Sequence, residues 1–158
     1  MIFLSIVMIP AIKKLLESHS EWVVPYLRNL LKTTENHRIR NEVALALLDF
    51  KDKRAIPVIA QLLVAPKTIN HRGTLIYVLS EFSPYIGDYL PLLVDLVVTG
   101  GFEVSRQAFI AIEEIEGEID EDIWLQCKQK ITEGMKNSSG DKAEILRDLY
   151  ELFEDEEE

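Results

Sequence analysis

Residues 37–65 read HRIRNEVALALLDFKDKRAIPVIAQLLVA, and this stretch decides the fold. In its first half, Ala44, Leu47 and Phe50 recur at helical spacing and mark one apolar face. A polar break follows at Asp52, Lys53 and Arg54. A second apolar run then opens at Ile56 and Pro57. Proline has no N–H to lose in a first helical turn, so Pro57 predicts the start of a helix rather than its interruption. The stretch therefore predicts a helix, a short turn and a proline-started helix. Such a pair carries apolar faces that it cannot bury alone, and stacking against further pairs buries them.

The unit recurs along the chain. The pattern apolar–Pro–apolar–apolar–x–x–Leu–(Leu or Val) occupies 9–16, 24–31, 56–63 and 90–97, and the prolines at 25, 57 and 91 lie 32 and 34 residues apart. The first-helix pattern of 40–50 returns at 72–82 (RGTLIYVLSEF) and 105–115 (SRQAFIAIEEI). Ala44, Leu47 and Phe50 match Ile76, Leu79 and Phe82, then Phe109, Ile112 and Ile115. A two-residue length change falls in the loop between Phe82 and Pro91. Asn36-His37-Arg38 also returns as Asn70-His71-Arg72, but 34 residues on, against 32 for the helix alignment. The helix alignment rests on more positions and sets the preferred register.

No segment alternates with period two, so no sheet is expected. Helices are predicted near 4–18, 21–33, 37–50, 55–65, 70–82, 87–99, 103–116, 120–135 and 141–153. The expected architecture is an all-α solenoid of stacked antiparallel helix pairs, about four to five repeats in one domain over 1–158. Within it, 1–20 reads as an N-terminal capping helix, 21–136 as repeats, 141–153 as a C-terminal capping helix and 154–158 as an acidic tail.

The ends depart from the repeat. The run 1–12 is largely apolar and uncharged until Lys13. Its positive charges follow the apolar stretch instead of preceding it, unlike a secretory signal, and it is shorter than a membrane span. It reads as a first helix packed on the array's end, or as an upstream extension before a start at Met8. At the other end Asp141 and Glu144 form a D-x-x-E capping pattern before the apolar positions Ile145, Leu146, Leu149, Leu152 and Phe153.

These residues resemble HEAT repeats, in particular the short HEAT-like repeats of phycobilisome lyases. Ile39-Arg40-Asn41-Glu42-Val43-Ala44-Leu45-Ala46-Leu47 is similar to that family's V-R-x-x-A-A-x-A-L first helix. Asp52-Lys53-Arg54-Ala55-Ile56-Pro57-Val58-Ile59 is close to its D-x-R-A-I-P-x-L turn and second helix. The match is strong over 37–65. It weakens over 70–99, where Gly73 falls inside the first helix, and again over 103–135, which lacks a proline before Ile123. What the resemblance implies is a scaffold whose curved face grips another protein, although fold alone does not fix function.

The chemistry expected of the chain is sparse. Three histidines (His19, His37, His71) and one cysteine (Cys127) offer little for catalysis or metal binding. A single cysteine excludes a disulfide scaffold and fits a reducing, cytoplasmic setting. No C-x-x-C, H-E-x-x-H, G-x-S-x-G or phosphate-cradling glycine loop occurs. His37 and His71, about one repeat apart, are expected roughly 10 Å from one another on neighbouring helices. Cys127 reads as a buried thiol. The acidic run 116–122 fails the EF-hand pattern, because Ile123 and Gln129 stand where Gly and Glu are needed. No cofactor, metal or catalytic residue is expected.

Charge is unevenly spread. The chain carries 17 basic and 27 acidic side chains, net −10. Residues 113–158 hold 17 acidic and 5 basic, net −12, whereas 28–72 hold nine basic and four acidic, net +5. The expected function is a non-enzymatic protein-protein interaction module, a small scaffold or adaptor. Its second helices would bind a protein partner, with Arg28, Lys32, Gln61 and Asp95 as candidate contacts because they interrupt apolar second helices. A specific form is an inhibitor or immunity protein whose acidic end covers a basic partner. The alternatives are a nucleic-acid-binding enzyme of the HEAT-like DNA glycosylase kind, opposed by the net charge, and a bilin-lyase-like subunit resting on family analogy. No membrane association is expected.

Overall fold

A computed structural model describes residues 2–155, and all regular structure among them is helical, with no strand. In chain order the helices are α1 (Ile2–Glu17), α2 (Val24–Thr33), α3 (His37–Asp49), α4 (Ala55–Leu63) and α5 (Gly73–Ser80). They continue with α6 (Leu90–Thr99), α7 (Phe102–Glu113), α8 (Glu121–Lys136) and α9 (Gly140–Asp155). Pro25 and Pro91 sit at the starts of α2 and α6 as their chemistry requires, and Pro57 lies in the first turn of α4. Pro10, by contrast, lies inside α1 and removes one of its backbone hydrogen bonds.

Several boundaries differ from those the periodicity predicts. A single 3-10 turn opens each of the spans expected at 21–33 and 87–99, at Glu21–Val23 and Gly87–Tyr89. The helix expected over 70–82 begins only at Gly73, because a turn centred on Pro66–Thr68 occupies the preceding chain. Gly73 therefore opens α5 instead of interrupting it. Asp141 stands in the first turn of α9, which begins at Gly140, and so does not cap it from outside. The expected acidic tail is helical at its start: Glu154 lies in α9 with its carboxylate 2.7 Å from Lys128 Nζ. Residues 156–158 lie outside the described residues.

The chain divides into two compact units, Met1–Phe82 and Ser83–Glu158. In the first, α3 packs against α1, α2, α4 and α5, with α2 also on α4. One layer is thus α1, α3 and α5, and the other is α2 and α4. Alternation of pattern explains the centrality of α3: Ile39, Val43, Ala44, Ala46 and Leu47 are all fully buried, so it offers apolar surface to both sides. Leu31, Ile59, Leu63, Leu75 and Leu79 complete this core, each fully buried leucine stabilising by about 1.5–3 kcal/mol.

In the second unit α6 packs on α7 and α8, and α9 on α7 and α8. Leu93, Val97, Ala108, Cys127, Ile131, Leu146 and Phe153 fill its interior, and Trp124 stacks on Phe153 at 4.0 Å. Gly134 permits the close approach of α8: a Cβ there would meet Val98 Cγ1 at 3.1 Å and Leu146 Cδ1 at 3.3 Å. Asp120 caps α8, its carboxylate accepting from the Asp122 and Ile123 amides.

Candidate partner-binding face

The helices α2 and α4 present several exposed side chains in the first unit. Lys32 on α2 and Gln61 on α4 are exposed, in line with their interruption of apolar helices. Tyr26 on α2 is 69% exposed, and Val64 at the end of α4 is 64% exposed. Trp22, in the turn leading into α2, is 68% exposed and meets the Tyr26 ring edge-on with centroids 6.2 Å apart. Two large aromatic side chains left in solvent at neighbouring positions are the residue types that dominate binding energy at protein interfaces. Sequence reasoning missed them because it sought polar interruptions. The available signal was Glu21-Trp22 ahead of Val24-Pro25, an aromatic placed before the helix where no core position awaits it.

Arg28 and Asp95, the other two expected contacts, are engaged inside their own units. Arg28 Nε lies 2.7 Å from Asp52 Oδ2, with its N–H not aligned on the oxygen, so the contact is ionic rather than hydrogen bonded. Asp52, in the turn before α4, is buried, and Arg54 approaches its other oxygen at 3.5 Å. The pair fastens α2 to the α3–α4 turn. In the second unit Asp95 on α6 accepts from Lys130 Nζ on α8 at 2.8 and 2.9 Å. The structure thus brings Arg28, Lys32 and Gln61 onto two packed helices and sets Asp95 in a separate unit.

Three further cations serve helix ends. Arg40 is fully buried and donates from Nη2 to Thr34 O, while Lys67 Nζ donates to Lys32 O and pairs with Glu35. Both supply donors and positive charge at the C-terminus of α2, where carbonyls lack helical partners. Burial lowers the pKa of Arg40, and the Glu35 carboxylate works in the opposite direction. The second unit solves the same problem with other residues. Ser105, which aligns with Arg40, donates to Val97 O, and Lys142 Nζ reaches Val97 O, Gly100 O and the Ser105 hydroxyl. These contacts close the end of α6.

Cys127 is fully buried, and its thiol is pushed up to about 11, by burial first and then by Asp95 against the opposing pull of Lys130. A thiol so placed is protonated at neutral pH, which lowers its nucleophilicity. Among the described residues no group of three or more His, Cys, Asp or Glu is placed to hold a metal ion. A concavity of about 430 Å3 in the first unit is lined by Leu16, His19, Glu21, Asp49, Phe50 and Lys51. His19 and Lys51 in its wall both have positive φ, 49° and 53°, because each stands where its helix ends in a left-handed residue.

His37 and His71 overturn the separation expected for them. Their rings stack with centroids 3.8 Å apart and planes within 3°, instead of lying about 10 Å apart. The reason is the length of the loop after α4: His71 stands two residues before α5, in the connection, and not on a helix. The Asn-His-Arg register that conflicts with the helix alignment is the one that brings side chains together. Partial burial lowers the pKa of His37, reinforced by His71, Arg38 and Arg40.

Comparison with family models, with curated proteins and with solved structures finds no match to this chain. No helix among the described residues is long and apolar enough to cross a membrane.

Proposed function

We propose that this chain is a non-enzymatic protein-binding module, a small HEAT-like α-solenoid that grips a protein partner on its second helices. The observation that carries the reading is the solvent-exposed Trp22–Tyr26 pair at the start of α2, on the layer whose helices also expose Lys32 and Gln61. Rigid aromatics of this kind give large contact area at low entropic cost, and the polar neighbours fix orientation. Arg28 belongs to the support of this face through Asp52, not to its contact surface. Further support comes from the side chains that could do chemistry. Arg40, Lys67 and Lys142 are spent on helix ends, and Cys127 is kept as a thiol.

The test is affinity capture from a lysate of the source cell at moderate and high salt, with bound proteins identified by mass spectrometry. A single stoichiometric protein that survives high salt is expected, since an aromatic-centred interface is screened little. A salt-sensitive and nuclease-sensitive mixture would put the basic stretch 28–72 in charge and overturn the reading.

A further inference from the structure

The connection from α4 to α5 reaches the start of α3, and its two halves are held differently. The first half is pinned. Thr68 is fully buried with its hydroxyl on Leu62 O, and Lys67 Nζ donates to Lys32 O and pairs with Glu35 at 3.2 Å. The second half, residues 69–72, leans on the stack of His71 over His37, with ring centroids 3.8 Å apart and planes within 3°. Ile69 is 57% exposed, and Asn70 and His71 are exposed as well, so burial does little to hold this half.

We propose that the His37–His71 stack is a pH-operated latch: protonation of both rings parts them and frees residues 69–72 from the start of α3, while Thr68 and Lys67 keep the first half in place. Two neutral imidazoles stack as flat rings, and a single proton still leaves a cation against a neutral π face. Two protons place like charges face to face, and the contact turns repulsive. His37 is also the first residue of α3, where the helix macrodipole disfavours a further positive charge.

Negative counter-charge is scarce around the pair. Residues 32–40 and 64–72 hold Lys32, Arg38, Arg40, Lys67 and Arg72 against one carboxylate, Glu35, which Lys67 engages. The facing helices add no acid at this end. No charged residue occurs in α4 or α5, and α2 brings only Arg28 and Lys32. Helix α1 meets the start of α3 through Ser5, which accepts from Asn36 Nδ2 at 2.9 Å, and it is uncharged up to Lys13. Its Glu17 lies toward the far end of α3, where Leu16 and Phe50 line one concavity. On α3 itself Glu42 stands five residues on, off the His37 face. Partial burial, then His71, Arg38 and Arg40, lower the pKa of His37, so the parted ring takes up a proton more readily than the stacked one. The latch is therefore closed above the ordinary histidine value of 6.5 and loses its hold as pH falls from there toward the lowered pKa.

The experiment is hydrogen exchange of the whole chain, read by mass spectrometry over overlapping peptides that isolate residues 69–72. It is run at about pH 7.5 and about pH 5, on either side of the histidine range, with each rate divided by the intrinsic rate at that pH. In the wild type the protection of 69–72 is expected to fall by about threefold or more at the lower pH, with α3 and α5 unchanged. His71→Phe keeps a flat ring on His37 without a second proton, and its protection is expected to hold at both pH values. His71→Asn removes the ring and is expected to be weakly protected at both. Far-UV circular dichroism shows that the variants keep their helix content, and the exposure of His71 makes that the expected result. Equal wild-type protection at the two pH values overturns the inference, as does an equal fall in His71→Phe or full protection in His71→Asn. A loss shared with α3 and α5 would mean that acid loosens the whole unit, and it overturns the latch as well.

Discussion

Replacing Lys142 by Met keeps the length and apolar stem of the side chain and removes three donated hydrogen bonds at once. In the intact protein its ammonium reaches Val97 O at 2.6 Å, Gly100 O at 2.7 Å and the Ser105 hydroxyl. Ser105 Oγ lies within reach of the same two carbonyls, at 2.9 and 3.1 Å, but it has one proton and serves one of them at a time. The Met variant therefore leaves one carbonyl at the end of α6 without a donor, a loss of about 1–3 kcal/mol. Part of this is returned because the half-buried ammonium, whose pKa burial lowers, no longer has to be desolvated. The net expectation is a loss of about 1 kcal/mol, equivalent to roughly 2–4 °C in Tm for a chain of this size. Each unit holds one tryptophan, Trp22 in the first and Trp124 in the second. In a Trp22→Phe background, urea unfolding followed by Trp124 fluorescence reads the second unit. Ser105→Ala should couple to Lys142→Met, the double variant losing more than the sum of the singles, because each single leaves a donor for at least one of the two carbonyls and the double leaves none. A change below about 0.5 kcal/mol, or strict additivity with Ser105→Ala, would refute the helix-end role of Lys142.

Three further outcomes follow from the first unit. Arg28→Met leaves the buried Asp52 carboxylate with only the 3.5 Å approach of Arg54. It should cost about 2 kcal/mol in urea unfolding read by Trp22 in a Trp124→Phe background. Lys51→Gly removes a side chain from a backbone held at φ 53° and should raise stability by up to about 1 kcal/mol in the same assay. For His37 the folded pKa is lowered, so below the ordinary value of 6.5 the unfolded chain binds the extra proton first. Stability should accordingly fall as pH drops from 6.5 toward the folded pKa, and His37→Asn should flatten that slope. A His37 ring titrating above 6.5 by NMR would contradict the sign.

The helical class was legible because it rests on redundant apolar positions: Ala44, Leu47 and Phe50 and their counterparts in later repeats repeat the same message. Proline starts were legible for the same local reason, with Pro57 fixing the α3–α4 pair. What local pattern does not carry is which loop residue meets which. His71 reaches His37 through the length of the loop after α4, and Lys142 reaches the end of α6 from 42 residues away. The expected contacts were sought among polar interruptions, and that signal does not separate a free side chain such as Gln61 from one held by a distant partner. Arg28 and Asp95 both belong to the second kind, through Asp52 and Lys130. The Trp22–Tyr26 pair escaped notice because an aromatic residue in a sequence normally argues for the core.

The most direct measurement compares partner capture by the wild-type chain and by a Trp22→Ser, Tyr26→Ala double variant. Both side chains are about two-thirds exposed, so the variant should keep its helix content. A captured protein that binds the wild type and is lost from the variant, at a cost of at least tenfold in affinity, is the predicted result. Undiminished capture by the variant would contradict binding through the α2–α4 layer.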